Sequence, residues 1–457
     1  MKLAERIFDF LASLRLAVLI IVAIGLLSAV GTFYEARYDA EVAQKLVYKS
    51  IYMYIVMGAL AINLIAVMID RWPWKQHHTP FVLAHVGILM LLVGSVITQR
   101  FGVDGSMSFN IGDSNRHVIV PETEFAVYSS MDGNLMTQLF RRPVDFFLNP
   151  PAKKPFKEMI GDQPLEVVDY MHYGLRKAEV VESDKESDGP AIRLQLQNPN
   201  VNMTQWILRE PGKDQSEVRL GPAKVVIASS GFKYEGGNVL LLKPGKSVWK
   251  YEVYTASKGG RTSQGQLTEG DKINTGWMGL QMTALRIFPR ARELVTYERR
   301  DRPATMARPA VKVRYRGEEH WVGLNSVLKL FKDDGMIWVS FANQRIDVGF
   351  PLQLTRFDMG RYQGTMRASS YQSEVKGDQI GTVTISMNEP LHYRDFTFYQ
   401  ASFEQDPETG KPIVSVLSVN RDPGLVLKYL GSFLIVLGAI LLFYFKRNFA
   451  QRRSGEA

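Results

Sequence analysis

His85 is an imidazole in surroundings that disfavour polar groups. It stands near the start of PFVLAHVGILMLLVGSVITQRFG (Pro80–Gly102), which carries no charged side chain from Phe81 to Thr98. Two uses of the ring fit. A neutral imidazole nitrogen is a good axial ligand for haem iron, and desolvation favours the neutral form. Alternatively, the ring hydrogen-bonds across helices to Asn63 or to a serine of a neighbouring span. His77 and His78 adjoin the same stretch, either as earlier contacts on a route to His85 or as solvated loop residues. His117, His172, His320 and His392 are scattered without metal-ligand spacing and read as surface or hydrogen-bonded residues. Arg286, Arg290, Arg292, Arg299, Arg300, Arg302 and Arg308 crowd one stretch, 286–308. Guanidinium forks suit carboxylates, acidic protein patches or lipid headgroups. A solvated, partly salt-bridged loop uses the same residues with no ligand at all.

Some chemistry is excluded outright. The chain of 457 residues has no cysteine, so it forms no disulfide, offers no thiol nucleophile and holds no metal through sulfur. Any thiol chemistry belongs to a partner. The formal net charge is +9, without a Lys/Arg tract dense enough for nucleic acid. Part of that excess reads as membrane topology.

The elements that must position His85 are apolar helices. From Phe81 to Thr98 the length is about 27 Å at 1.5 Å per residue, close to the thickness of a bilayer's hydrocarbon core. His85 then lies roughly 6 Å inside that layer. Leu14–Tyr34, Ile51–Ile69 and Tyr429–Phe445 have similar length and composition. Leu14–Tyr34 is long for the core of a cleavable signal, and two further spans follow it at once, so it is expected to be retained. Lys2, Arg6 and Arg15, then Arg71 and Lys75, then Lys446, Arg447, Arg452 and Arg453 fall on one side of a four-span arrangement. The opposite loop Glu35–Ser50 balances its basic and acidic residues. By the positive-inside rule both termini are cytoplasmic and 99–424 lies outside.

That outer region reads as β structure. Apolar and polar residues alternate in Ile192–Leu196 and in Val311–Tyr315, the latter continuing through Arg316-Gly317-Glu318 as a hairpin. Gly381–Asp406 repeats the pattern around an Asn388-Glu389-Pro390 turn. A sandwich or irregular barrel is expected, in one or two lobes, interrupted by loops at Asn149–Pro155 and Glu182–Pro190. The domain plan is therefore a membrane region 1–98 with spans 14–34, 51–69 and 81–98, a β-rich domain 99–424, and 425–457 holding a fourth span (429–445) and a basic tail. Gly87 and Gly94 flank His85 at small-residue positions that permit close helix approach, or are ordinary membrane-helix glycines. Pro423 is placed at an early position of the last helix. Asp395, Tyr399 and Gln400 read as strand packing and register.

The sequence resembles the ResB family of System II cytochrome c biogenesis. The likeness is carried by SLRLAVLIIVAIGLLSAVGT, VYKSIYMYIVMGALAINL followed by DRWPWK, FVLAHVGILMLLVGSVI, MNEPLHYRDFTFYQASF and SVLSVNRDPGLVLKYLGSFLIVLGAILLFY. About Val120 to Gly360 carries little of it. The resemblance implies an unfused partner of a ResC-type membrane subunit. Together they bring haem b across a bacterial plasma membrane and attach it to the CXXCH motif of an apocytochrome c. It also implies that His85 is the haem axial ligand, with the second ligand supplied by the partner. The tryptophan-rich haem-handling motif expected of that partner is absent, the tryptophans here being scattered. With no thiol and no evident general base, the chain reads as a non-catalytic or co-catalytic subunit of a haem lyase, with a thioredoxin-like thiol reductant as a further partner. Two other classes compete: a haem-b electron-transfer subunit, which usually needs paired histidines on facing spans, and a non-catalytic scaffold with a protein-binding β domain.

Overall fold

The computed structural model describes residues 2–131, 135–186, 188–209, 213–220, 223–228, 230–245, 248–332, 335–365, 367–406 and 411–454, with backbone only at 2, 331–332 and 445–454. The side chains of the basic tail, including Lys446, Arg447, Arg452 and Arg453, thus lie outside the described residues. Six α-helices are assigned: α1 (Lys2–Leu11), α2 (Leu14–Arg37), a one-turn α3 (Ala40–Ala43), α4 (Ile51–Asp70), α5 (Thr79–Phe101) and α6 (Leu425–Ser454). Strands occupy the chain between α5 and α6.

Side-chain oxygens start the helices. The Ser13 hydroxyl accepts the Leu16 N–H to cap α2, and Ser50 does the same for Met53 at α4. Pro80 sits in the first turn of α5, where its missing N–H is not needed. Pro423 falls in the turn just before α6, whose Gly424 N–H is taken by the Asp422 carboxylate. The α2, α4, α5 and α6 helices are long and apolar enough to cross a membrane. Their outer surfaces are bare of protein: Leu19 is 62% exposed, Leu26 64% and Phe433 62%. A leucine kept in water forgoes about 1.5–3 kcal/mol of burial, so such rows suit an apolar solvent.

Two compact units are present, residues 1–173 with 300–457, and residues 174–299. The first contains all six α-helices. Its main sheet has ten strands, and its path places 335–361, 114–130, 103–110, 412–421 and 396–405 side by side in that order. The strand Val103–Asn110 continues α5 after Gly102. It pairs antiparallel with Pro412–Arg421, which leads into α6, in register from Val103 opposite Arg421 to Asn110 opposite Val414. Entry and exit of the β region are therefore neighbours, and α5 and α6 leave it together.

Below that pairing the two helices meet along glycines. A Cβ on Gly87 would lie 2.6 Å from the Gly431 carbonyl oxygen, and one on Gly438 would lie 2.6 Å from that of Pro80. Gly94 and Gly424 make the third contact of the series. Each step of seven residues up α5 is matched by a step of seven down α6, the repeat that keeps one helix face turned to its partner. Gly87 and Gly94 are thus packing glycines, as small-residue seams require.

Two apolar cores fill the β part of this unit. Met107, Phe109, Leu352, Phe398 and Leu417 belong to one, and Phe125, Phe146, Leu165, Val313 and Phe341 to the other. The expected hairpin is formed by strands Ala307–Tyr315 and Glu318–Gly323. Arg316 and Gly317, both at positive φ, make its turn. Gln400 is buried among Ser373 and Ser415, bonded to both, which fits its reading as a packing residue.

The unit 174–299 carries a four-stranded and a five-stranded sheet whose apolar faces share one core of Ile192, Leu194, Ile207, Val225, Leu240 and Trp249. Expected outcome: Gly431→Ala, which drives a methyl group against a backbone carbonyl, lowers stability by about 1–3 kcal/mol. Gly25→Ala on α2, with nothing within 4 Å, leaves it unchanged or slightly raised. Thermal midpoints of the purified protein in one detergent check the contrast.

Candidate functional site

His85 lies one and a half turns into α5 and is half-buried. Its Nδ1 is 2.8 Å from the Phe81 carbonyl oxygen, one turn earlier. A carbonyl only accepts, so Nδ1 carries the proton and the neutral ring leaves its Nε2 lone pair available. No hydrogen bond to Nε2 forms among the described residues. The Phe81 ring lies 3.9 Å from the imidazole, centroid to centroid. Over the same Phe81 ring, at 4.0 Å, sits the guanidinium of Arg71, the residue that ends α4. A metal-binding nitrogen, an aromatic face and a cation without an ion-pair partner among the described residues are thereby gathered at one end of the helices.

Asn63, the alternative partner of His85, is committed elsewhere. It is 2% exposed and its Nδ2 donates to the Leu11 carbonyl at 2.6 Å, with the Ser13 carbonyl at 3.4 Å. These carbonyls lie where α1 breaks into α2. Asn63 thus satisfies an interrupted helix, the use that irregular backbone demands in an apolar layer. His77 and His78 form a 3-10 turn (Gln76–His78) just before α5, with ring centroids 4.1 Å apart. The Lys75 N–H reaches His78 Nδ1 at 3.3 Å. His78 precedes His85 by seven residues, roughly 10 Å along the axis, so the three are not one ligand set. The Phe81–His85 pairing is legible as an i, i+4 step. Arg71 reads in the sequence only as a topology residue, because its contact with Phe81 is between helices.

A second polar centre lies at the other end of α2. Asp39 caps α3 through the Val42 N–H at 2.8 Å and accepts the Tyr173 hydroxyl at 2.6 Å. His172 Nδ1 is 2.9 Å from the Tyr170 hydroxyl, and its Nε2, which is buried, is 3.6 Å from the Asp39 carboxylate. Lys45 bridges Glu41 at 2.9 Å and Asp145 at 3.2 Å. A cavity of about 170 Å³ is lined by Asp39, Glu41, His172, Tyr173 and Pro303. Burial pushes the His172 pKa below the ordinary histidine value, against the pull of Glu41 and Asp39. Burial raises the Asp39 carboxyl, but the Tyr173 and Val42 hydrogen bonds and His172 bring it below the usual range. Burial and the nearby carboxylates push Tyr170 and Tyr173 far up, so both stay protonated donors. His172 thus follows the hydrogen-bonded of its two readings and, with Tyr173, joins the 38–50 segment to the β strands.

The arginine run is divided. Arg286, at 3.4 Å from Glu269, and Arg290, at 3.5 Å from the Asp184 carbonyl, belong with Arg292 and Arg299 to the unit 174–299. Arg300, Arg302 and Arg308 belong to the other unit. Among the described residues no group of three or more His, Asp or Glu is placed to hold a metal ion.

Four helices long and apolar enough to cross a membrane, joined to a large, mostly β region, are the make-up of a helical membrane protein. Residues 333–413 match the model of the ResB-like family. The chain is also 34% identical over 116 residues to Protein NrfI of Wolinella succinogenes, a match covering 24% of this chain and 12% of that protein. Over these segments the chain is similar to ResB-like proteins, and its matched part spans about an eighth of the length of that relative.

The joint at Asp39 has a definite pH dependence. Because the folded pKa of His172 is depressed, its neutral ring contributes stability above about pH 6.5, and that contribution is lost as the pH falls below it. Asp39 loses its contribution only at more acidic pH, as it protonates. Thermal midpoints measured from pH 7.5 to 5 should fall, and His172→Gln should flatten the decline. Tyr173→Phe, which removes a hydrogen bond to a carboxylate, should cost about 1.5 kcal/mol at pH 7.5.

Proposed function

We propose that this chain is the haem-handling subunit of a membrane complex that matures c-type cytochromes. The observation carrying the reading is His85: an imidazole inside an apolar helix, its Nδ1 held by the Phe81 carbonyl and its Nε2 left open. That is the arrangement by which proteins orient a ligating histidine, the second nitrogen fixing tautomer and ring plane. The donor set fits haem b as cargo. His85 Nε2 would hold the iron, Phe81 would give the macrocycle an apolar face, and the Arg71 guanidinium would meet a propionate carboxylate.

His85 is the only histidine within the four spans, so a second axial ligand comes from another chain, for which a ResC-type membrane subunit is the candidate. His77 and His78, ahead of α5, would be first contacts for haem arriving from the cytoplasm. Bound haem supplies the vinyl carbons that take up the apocytochrome's cysteine sulfurs. This chain has no cysteine, so those sulfurs and any thiol reductant are a partner's. Its own contribution is positioning: one ligand, one wall and one anion anchor in the membrane, and a β domain outside the cytoplasm to hold the apocytochrome. The basic flanks of the spans support this orientation.

Co-purified with a ResC-type subunit, the wild-type chain should carry haem with a histidine-ligated absorbance spectrum, and His85→Ala should abolish or shift it and depress cytochrome c yield. Unchanged haem content and yield in that variant would sink the ligand assignment. Arg71→Gln should weaken retention of haem roughly ten-fold, about 1.4 kcal/mol, yet leave binding of haem dimethyl ester, which lacks free propionates, unaltered.

A further inference from the structure

Helix α1 is the part of the molecule whose surface the fold leaves unexplained. At 100° per residue, Leu3, Ile7 and Phe10 fall within about 60° of one another. They are 73%, 52% and 56% exposed. Phe8 and Leu11, further round the helix, are half-buried against the protein, and α1 packs on α4. Glu5, Arg6 and Asp9 occupy the remaining face, all exposed. The helix thus has three sides: one on the protein, one charged, and one apolar with no cover.

Its position says what covers that third side. The break between α1 and α2 is held by Asn63, whose amide bonds the Leu11 and Ser13 carbonyls. Asn63 lies seven residues before the end of α4, roughly 10 Å along its axis. The C-terminal end of α1 is therefore moored below the helix end, at the depth where interfacial helices bury their apolar faces, about 5–10 Å into the headgroup and acyl boundary. The exposed stripe is also continuous with the bare surface of the first span, since Leu14, four residues after Phe10, is 79% exposed.

We infer that α1 is an interfacial helix, lying in the leaflet at the N-terminal end of the spans with Leu3, Ile7 and Phe10 in the acyl region and Glu5, Arg6 and Asp9 in the headgroups. Its occupant is lipid, not a protein groove. The inference rests on the reading that the apolar helices cross a bilayer, and it explains why the second span keeps a buried asparagine. A helix without that tether would leave the Leu11 carbonyl unpaired in an apolar layer, whereas the Ser13 carbonyl also takes the Ala17 N–H.

The absence of cysteine makes the test clean. F10C, E5C and L19C are each labelled with an environment-sensitive fluorophore. The full chain is reconstituted in phospholipid vesicles containing lipids with a nitroxide at the headgroup, at acyl carbon 5 or at acyl carbon 12. The F10C label should be quenched most by the two shallow nitroxides and be several-fold less accessible to aqueous iodide than the E5C label. L19C, on the outer surface of α2, should be quenched most by the deep nitroxide. If L19C is not, the membrane reading itself fails. If L19C behaves but F10C is as open to iodide as E5C, or is shielded from iodide without lipid quenching, the inference is overturned; the latter result would mean a protein covers the stripe.

Discussion

The arrangement depends first on one pairing, the antiparallel register of Val103–Asn110 with Pro412–Arg421. These strands are direct continuations of α5 and α6. Their ladder brings the two helices to a common point, and the glycines at 87, 94, 424, 431 and 438 let them stay together along their length. Close backbone approach replaces the hydrophobic drive that helices lack in lipid. At the junction, Thr98 donates to Asp422, which also pairs with Lys428. Burial pushes the Asp422 carboxyl up, and these partners bring it below its usual range. The helix bearing His85 is therefore fastened to the β domain by backbone hydrogen bonds above and by van der Waals contact below.

Several polar side chains within the apolar helices bond to backbone carbonyls, as an apolar medium favours. Asn63 serves the break after α1, Thr98 bonds back to Gly94, and Ser95 bonds to Leu91. His85 does the same with one nitrogen, while the other has no hydrogen bond among the described residues. That open imidazole nitrogen is the kind of atom that ligates haem iron, which the amide and hydroxyls just named do not offer. That difference carries the functional reading, with Phe81 and Arg71 giving it shape.

Much of this was legible in the residues. Runs such as Leu14–Tyr34 and Phe81–Thr98 declared long apolar helices because unbroken apolar length has few other meanings, and the alternation on either side of Arg316-Gly317 declared its hairpin. What escaped was non-local or short. α1 was missed because ten residues ahead of a strong span look like its flank. The Asp39–His172–Tyr173 joint links positions more than a hundred residues apart, which no periodicity reports. Arg71 was counted as a topology signal, and its place over Phe81 depends on how α4 and α5 cross. The glycines were visible, but their matching on α6 follows only from the strand register.

The seam between α5 and α6 has a consequence for how such a chain can vary. A helix advances its faces by about 100° per residue, so inserting or deleting a single residue between Arg421 and Gly431 would swing the glycines out of contact and turn leucines into the space. Loops such as Asn149–Pro155 face no such constraint. The β region can lengthen or shorten at such loops without disturbing the seam, whereas the few residues joining it to the last helix cannot change in number without breaking it. The position of His85 along α5 and the register of the strands that continue α5 and α6 are in that sense one dimension.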